Sequence, residues 1–328
     1  MEDLKNLGYL NMKIDPEIDV VYEINKLREE KNAVIMAHYY QTGDIQDIAD
    51  FVGDSLALAQ KAVATEAEII LLSGVHFMAE TAKILNPDKK VLLPDLKAGC
   101  SLAESCPVDK FEEFIKEHPG HTVISYVNTT AEIKALTDII CTSSNALQIV
   151  ESLPKDEKII FAPDRNLGNY INSQTKRNMV VWNGACHVHE EFSLERILEL
   201  KEKNQDAKII AHPECERPIR LIADHIGSTS SLLNFTMKDQ SKKYIVATES
   251  GILHQMRKYN PEKEFIAAPP KDSTCACSDC NFMKLNSLEK IYKALLYEKP
   301  EITMDKNLMD KARKPIIRML EISEKLGL

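Results

Sequence analysis

The sequence predicts an α/β protein in which three homologous three-layer α/β domains with small parallel sheets surround a pseudo-threefold axis. The first observation is a pattern of apolar and polar residues that occurs three times along the chain. The second is that β-branched apolar runs alternate with helical patterns inside each copy, which is typical of right-handed βαβ units. The 328-residue chain, with 44% hydrophobic and 28% charged residues, has the composition of a globular protein large enough for several domains.

The three copies share one register. Each opens with a short apolar run that ends in a polar tripeptide, and a hydroxyl residue stands 17 residues after the first residue of that tripeptide. The tripeptides are His38-Tyr39-Tyr40, Tyr126-Val127-Asn128 and His212-Pro213-Glu214, and the hydroxyl residues are Ser55, Ser143 and Thr229. The tripeptides start 88 and then 86 residues apart. This period is too long for the usual solenoid repeat, so we expect a closed arrangement of three domains.

The elements follow in the same order within each copy. A first strand and a helical pattern lead to a helix that opens at the hydroxyl residue, and a second strand, a helix and a third strand complete the unit. The second strands read EIILLSG, KIIFAPD and KYIVATES, and the third strands read KKVLLPD, MVVWNGA and EFIAAPP.

Helical patterns also flank the three copies. Asp15-Pro16 is typical of an N-cap and first helical residue, and it predicts a helix through Leu27. The helical pattern returns from Ser287 onward. We therefore expect three domains: a first α/β repeat with the N-terminal helix, a second repeat, and a third repeat with the C-terminal helices. Their predicted bounds are 1–110, 111–198 and 199–328.

Charge and hydropathy restrict the partners and the location. The chain has 41 Lys and Arg residues against 50 Asp and Glu residues, a net charge of −9, which argues against nucleic acid or an anionic membrane as a main partner. No apolar run reaches the ~18 residues that span a bilayer, and the first residues lack the pattern of a signal peptide. We therefore expect a cytoplasmic protein. In that reducing compartment the eight cysteines are expected to be ligands or nucleophiles, not disulfides.

A cysteine follows the third predicted strand of each copy. Cys100 and Cys186 occupy matching places, and the third copy offers a cluster, Cys275-Ala276-Cys277-Ser278-Asp279-Cys280. Register alone favours Cys275 as the third equivalent. Because ligands bind at the carboxyl ends of parallel strands, three thiolates around one axis predict a soft metal site with an open coordination position. Two occupants fit: zinc, for hydrolysis or deamination, and a [4Fe–4S] cluster with one free iron.

The polar tripeptides should face the same centre, because each ends a first strand. Acid–base groups and neutral donors are both present, in His38, Tyr40, Tyr126, Asn128, His212 and Glu214. Ser55, Ser143 and Thr229 are typical N-caps, and three helix N-termini converging on one cavity favour a ligand with several carboxylates or a phosphate. We interpret His189 as a substrate or supporting group and His187 as structural. The remaining cysteines, Cys106, Cys141 and Cys215, are expected to be small buried residues.

Several motifs together resemble the quinolinate synthase family of NAD biosynthesis. They are AHYYQ, VGDSL, KAGCSLAES, SYVNTTAEIKA, CTSSNA, WNGACHVHEEF, AHPEC, GSTS, ATESGILH and the terminal cysteine cluster, and they extend over about residues 20–325. The resemblance implies three similar α/β domains that enclose a [4Fe–4S] cluster. It also implies condensation of iminoaspartate with dihydroxyacetone phosphate to give quinolinate, phosphate and water.

The resemblance assigns the cluster ligands to Cys100, Cys186 and Cys280. In the family the third ligand is the last cysteine of its cluster with a methionine shortly after it, which here is Cys280 before Asn281-Phe282-Met283. The family therefore disagrees with the internal register, and we follow the family. Its common spacing is C-x₂-C-x₂-C with a following proline, whereas this chain has C-x-C-x₂-C and Asn281. The roles of Cys275 and Cys277 stay open.

The resemblance also implies the substrate site and the supplier of substrate. The implied substrate-binding residues are His38, Ser55, Tyr126, Asn128, Ser143, His189, His212, Glu214, Ser228 and Thr229. Our hypothesis gives the catalytic roles to Tyr40, Tyr126, His212 and Glu214, with Glu214 moving protons and the two phenols acting as acids, bases or orienting groups. Because iminoaspartate is unstable in water, an aspartate oxidase or an aspartate dehydrogenase is the expected functional partner. A Cys₃-zinc hydrolase or deaminase and a non-catalytic Fe–S sensor are the alternatives.

Overall fold

The structure is a computed structural model that describes residues 2–272 and 278–328. The cysteines at positions 275 and 277, whose roles the sequence left open, lie outside the described residues. Within the described part of the chain the strands are β1 (Ala33–His38), β2 (Phe51–Gly53), β3 (Ile69–Ser73), β4 (Lys90–Leu92), β5 (Thr122–Tyr126), β6 (Ile139–Cys141), β7 (Ile159–Ala162), β8 (Val180–Val181), β9 (Lys208–Ala211), β10 (His225–Ile226), β11 (Lys243–Ala247) and β12 (Glu264–Ala267).

Helices connect and cover these strands. The α-helices of the described residues are α1 (Glu2–Leu7), α2 (Val20–Glu30), α3 (Gly43–Ile48), α4 (Ser55–Ala64), α5 (His76–Leu85), α6 (Ser101–Glu104), α7 (Val108–Glu117), α8 (Ala131–Ala135), α9 (Ala146–Ser152), α10 (Arg165–Thr175), α11 (His187–Glu190), α12 (Leu194–Lys203), α13 (Arg217–Leu221), α14 (Thr229–Lys238), α15 (Ile252–Tyr259), α16 (Leu288–Tyr297) and α17 (Lys306–Lys325). A 3₁₀ turn spans Met283–Leu285. In the described regions no helix combines the length and the apolar character needed to cross a bilayer.

The strands form three parallel sheets with one topology. Their orders are β2-β1-β3-β4, β6-β5-β7-β8 and β10-β9-β11-β12, and neighbouring strands run parallel in all three sheets. The register also repeats, because Ala37, Ser125 and Ala211 near the ends of the first strands pair with Ser73, Ala162 and Ala247. The predicted fold class is confirmed. We call these sheets with their helices the first, second and third repeats.

The sequence missed one strand in every repeat. β2, β6 and β10 lie between the first helical pattern and the hydroxyl residue, and each is two or three residues long. A run of two or three residues is too short to show the alternation of buried and exposed side chains by which a strand is recognised in a sequence. These short edge strands nevertheless determine where the following helix begins, because each one pairs with the first strand of its repeat and the helix starts just after it.

The first predicted helix begins later than expected. α2 starts at Val20, and its N-cap is Asp19, whose carboxylate accepts the backbone N–H of Tyr22 at 3.0 Å. The carboxylate of Asp15 instead accepts the N–H of Glu17 at 3.0 Å, which closes a turn. The prediction of an N-cap at Asp15 was therefore wrong, because Asp-Pro initiates turns as readily as helices.

The repeats differ in how they share cores. One apolar cluster contains residues of the first repeat, of the second repeat and of the C-terminal helix α17, such as Met36, Ile140 and Met319. A side-chain contact fastens this helix, since Asn145 Nδ2 donates to Ser323 Oγ at 2.9 Å. The third repeat has two cores of its own. The domain bounds at residues 110 and 198 stay a prediction.

At the interface between the third and the first repeat, backbone atoms of the two repeats lie close together. The amide nitrogen of Gln46 in α3 donates to the carbonyl oxygens of Tyr39, Gln41 and Gly251, at 3.0, 2.8 and 2.9 Å. A Cβ atom built on Gly251 would lie 2.8 Å from the carbonyl oxygens of Tyr39 and Gln41. Only glycine therefore fits at this point of the interface.

We expect Gly251→Ala to lower the free energy of unfolding by about 1–3 kcal/mol, because its methyl group meets backbone atoms that cannot rotate away. Gly43→Ala is the matched control on the same interface, since its methyl group meets the partly exposed ring of His254, a side chain that can move. Urea titrations of both variants measure the difference. Equal stabilities of the two variants would contradict this account of the interface.

Candidate functional site

The carboxyl ends of the three sheets meet around one cavity, whose wall is built from residues of all three repeats. Thirteen of the fourteen residues that the sequence assigned to catalysis, substrate binding or metal binding line it: His38, Tyr40, Ser55, Cys100, Tyr126, Asn128, Ser143, Cys186, His189, His212, Glu214, Thr229 and Cys280. The structure thus brings together side chains that are far apart in sequence. Their functional roles stay predictions.

Ser228 lies at a junction of the three repeats instead of on the cavity wall. Its hydroxyl oxygen caps α14 by accepting the N–H of Ser231 at 3.2 Å. Ser144 Oγ of the second repeat lies 2.8 Å from Ser228 Oγ and donates to Asp54 Oδ2 of the first repeat at 2.7 Å. One side chain from each repeat therefore meets at this point.

The predicted N-cap roles of the hydroxyl residues were wrong by one or two positions. α4 and α14 begin at Ser55 and Thr229, and the caps are Asp54 and Ser228. In the second repeat the cap of α9 is Asn145, two residues after Ser143. Because a preceding side chain satisfies the N-terminal N–H groups in α4 and α14, the hydroxyls of Ser55 and Thr229 are left to face the cavity.

Glu214 is the buried carboxylate at the centre of the cavity. The Tyr126 hydroxyl donates to Glu214 Oε1 at 2.6 Å, and His189 Nδ1 lies 3.3 Å from Glu214 Oε2. Burial alone would raise the pKa of Glu214, but the neighbouring imidazoles of His189 and His212 and the bonds to His189 and Tyr126 lower the pKa to about 2. Glu214 is therefore an anion at neutral pH.

Two buried histidines of the cavity are neutral. His38 Nδ1 accepts the N–H of Tyr40 at 3.2 Å, and His212 Nδ1 accepts the N–H of Glu214 at 3.4 Å. Burial lowers the pKa of His38 to about 4 and the pKa of His212 to about 3. Since Nδ1 is an acceptor in both rings, the single proton of each is on Nε2.

Both tyrosines of the cavity remain protonated phenols. Burial raises the pKa of Tyr40 and of Tyr126 well above 10, and the charge of Glu214 adds to the effect in both. The hydroxyl of Tyr40 lies 3.1 Å from Thr229 Oγ1 and 2.9 Å from Thr248 Oγ1. The two side chains are therefore suited to donate hydrogen bonds or protons, and they are poor bases.

The three cavity cysteines share a local structure. Cys100 and Cys186 are the N-caps of the short helices α6 and α11, and Cys280 precedes the 3₁₀ turn. Backbone N–H groups two or three residues later point at each thiol, and this lowers the thiol pKa; the N–H of His189 does so for Cys186. Burial outweighs this effect and raises the pKa of all three thiols, for Cys100 to about 12.

Buried acidic side chains accept hydrogen bonds from the backbone of two of these cysteines. Asp164 Oδ2 accepts the backbone N–H of Cys186 at 3.2 Å, and Glu249 Oε1 accepts that of Cys280 at 3.1 Å. Lys284 pairs with Glu249 at 2.9 Å and also donates to the carbonyl oxygen of Tyr40 at 2.7 Å. The segment around Cys280 is therefore fixed to both the third and the first repeat.

The donor set fits a soft metal group. Three half-buried thiols that line the same cavity are the ligands that iron–sulfur clusters and zinc take up. Ligand atoms of Cys186, His189 and Glu214 also lie within 4.8 Å of one another, a mixed sulfur, nitrogen and oxygen set compatible with a single metal ion. A metal cofactor is therefore compatible with this site. The choice of Cys280 over the register equivalent at 275 stays a prediction, because residue 275 is outside the described residues.

Other predictions about individual residues had mixed outcomes. Cys106, Cys141 and Cys215 are buried in the core, as expected. His187 lines the cavity and its Nδ1 lies 2.6 Å from Ser101 Oγ, so it is part of the cavity wall. The sequence did not point to Thr248, whose hydroxyl contacts the cavity residues Tyr40 and His189. Thr248 follows the second predicted strand of its copy, not the first, and only its place in the motif ATESGILH distinguished it.

Three parallel sheets whose polar strand ends share one cavity define the class of protein: an α/β protein with a small-molecule site built from three repeats. The family described as Quinolinate synthetase A protein matches residues 22–321. Curated relatives named quinolinate synthase include those of Synechocystis sp. (60% identical; 93% of this chain and 96% of the relative) and Thermosynechococcus vestitus (58%; 93% and 96%). One from Chloroherpeton thalassium is 55% identical and covers 94% of this chain and 96% of the relative. The chain belongs to the quinolinate synthase family.

We expect His38 and His212 to lower the free energy of unfolding of the metal-free protein as the pH falls from about 6.5 to about 4, while Glu249 and Asp164, whose pKa values burial raises, act in the opposite direction. In this window His38 and His212 stay neutral when folded, with pKa values of about 4 and about 3, while the unfolded chain protonates them below 6.5. The unfolded state then binds more protons, and each histidine removes about 1.4 kcal/mol per pH unit. Urea titrations at several pH values measure the slope. His212→Gln should lose about 1.4 kcal/mol less than wild type per pH unit in this window, and a slope equal to wild type would contradict the assignment.

Proposed function

We propose that the chain condenses iminoaspartate with dihydroxyacetone phosphate to form quinolinate, phosphate and water, the quinolinate synthase reaction of NAD biosynthesis. The observation that carries the proposal is the shared cavity, where acid–base groups, hydroxyls at helix starts and three thiols face one another. Membership of the family supports the same reaction. We further propose a cytoplasmic enzyme whose imine substrate is supplied by an aspartate oxidase or an aspartate dehydrogenase.

Cys100, Cys186 and Cys280 would hold a [4Fe–4S] cluster in this proposal. Three thiols that line the cavity, each approached by backbone N–H groups, support that ligand set. When bound, such a cluster supplies an iron without a cysteine ligand, which serves as a Lewis acid in dehydration chemistry.

An unsatisfied polar atom of the cavity supports binding of a polar substrate. Asn128 Oδ1 is buried and makes no hydrogen bond with the described part of the protein. Buried polar atoms cost free energy unless they are paired. Asn128 lines the cavity, so a substrate that donates to it removes this cost.

Helix starts would hold the negative groups of the substrates. α4 and α14 are ten residues long and begin at Ser55 and Thr229, whose side chains line the cavity. The partial positive charge of a helix N-terminus attracts carboxylates and phosphate. The two hydroxyls add hydrogen-bond donors at the same points. This arrangement favours substrates that carry carboxylates and a phosphate.

Protons would be handled by Glu214 and the two phenols. Glu214 is ionised and accepts the hydroxyl of Tyr126, so its second oxygen can take up a substrate proton and return it. Tyr40 and Tyr126 remain protonated and orient substrate oxygens or donate to them. His212 stacks on His189, with ring centroids 4.6 Å apart, and holds the carboxylate face of the cavity in place.

A zinc hydrolase is the second candidate function. The closeness of Cys186, His189 and Glu214 favours it, because sulfur, nitrogen and carboxylate oxygen are all common zinc ligands. In that enzyme Glu214 would be a ligand and could not exchange protons with a substrate. Cys100 and Cys280 would then have no role at the metal.

Quinolinate formation tests the proposal. Protein purified and reconstituted without oxygen receives freshly generated iminoaspartate and dihydroxyacetone phosphate, and quinolinate is measured by mass spectrometry. We expect product from the wild type and a loss of more than about a hundredfold in Cys280→Ala, because a cluster ligand is removed. Cys106→Ala is the matched control, a buried cysteine away from the cavity, and should keep its activity. Absence of product from the wild type would contradict the proposed reaction, and an active Cys280→Ala variant would move the third ligand to another cysteine.

A further inference from the structure

Thr248 breaks the threefold pattern of the repeats. It is the first residue after β11, and the equivalent positions after β3 and β7 are Gly74 and Pro163. Neither of those residues has a side chain that can form a hydrogen bond. Thr248 is 1% exposed and does not line the cavity, so a hydroxyl at this position has no solvent partner.

The Thr248 hydroxyl joins side chains from the two other repeats. Its oxygen lies 2.9 Å from the hydroxyl of Tyr40, in the first repeat, and 3.1 Å from Nε2 of His189, in the second. Tyr40 and His189 both line the cavity. Thr248 therefore contacts two residues of the site from behind, and it does so only while the three repeats are closed on one another.

The Thr248 hydroxyl can both donate and accept a hydrogen bond, so one side chain can serve His189 and Tyr40 together. On the other side of its ring, His189 Nδ1 lies 3.3 Å from Glu214 Oε2. The ring of His189 is therefore held between Thr248 and Glu214.

We propose that Thr248 is a positioning residue for the condensation, which holds the Tyr40 hydroxyl and the His189 ring in the orientation that the reaction requires. The inference rests on the proposed function, since it concerns the same cavity. Without the Thr248 hydroxyl, His189 Nε2 is left without a partner in a buried place and the Tyr40 O–H bond can rotate. Both effects change the orientation of side chains that line the cavity, whereas Thr248 itself does not line it.

The test compares Thr248→Val, which has nearly the same shape and no hydroxyl, with Thr248→Ser, which keeps the hydroxyl. We expect kcat of Thr248→Val to fall about 10–100-fold, the usual effect of a lost buried hydrogen bond, with KM for both substrates within about threefold of wild type. Thr248→Ser should recover kcat to within about threefold. Thr236→Val is the matched control, because Thr236 is buried in the same repeat and its hydroxyl bonds to Leu233 and Asn260 of that repeat, away from the cavity.

A wild-type kcat for Thr248→Val, or a Thr248→Ser variant as slow as Thr248→Val, would overturn the inference. If Thr248→Val does not fold, Thr248→Ala is compared with Thr248→Ser in the same way. An inactive wild type would count against the proposed function instead. The inference is then decided by the ¹⁵N NMR spectrum of labelled histidines, where we expect the ring nitrogen signals of His189 to shift between wild type and Thr248→Val, because the variant removes the hydroxyl beside Nε2. Identical spectra would refute it.

Discussion

Hydrogen bonds that cross between the repeats are the constraint on which the rest of the structure depends. Asp54, Ser144 and Ser228 meet at one junction, and each comes from a different repeat. Tyr126 of the second repeat donates to Glu214 of the third. Each pair is buried or half-buried, so opening the repeats would expose the cavity and leave its polar groups without partners. The cavity therefore exists only in the closed arrangement.

The same closure explains how a chain with a net charge of −9 can build a site suited to the anionic substrates that we propose. The carboxylate of Glu214, at the centre of the cavity, is enclosed by a phenol and two imidazoles, and its charge is satisfied from within the protein. Helix starts, hydroxyls and an amide then face the cavity. Local donors, and not the overall charge, thus decide which ligand the site favours.

Much of the fold followed from the repeated pattern, because matched positions in three copies reinforce one another. The tripeptides, Cys100 and Cys186 were placed at one centre by their register alone. The short strands were missed because two or three residues give no periodicity. Asp54 and Ser228 were missed as caps because a cap precedes the first helical residue and competes with its hydroxyl neighbour. Thr248 could not be found from the repeat, since its equivalents, Gly74 and Pro163, lack its chemistry.

The most direct test of the account is to identify the group bound at the three thiols. Protein purified without oxygen is analysed for iron, acid-labile sulfide and zinc, and its Mössbauer spectrum is recorded with and without substrate. The account predicts iron and sulfide in equal amounts and one iron whose signal changes when substrate binds, since three cysteines leave one iron open. Zinc without sulfide, or a cluster whose irons do not respond to substrate, would contradict it.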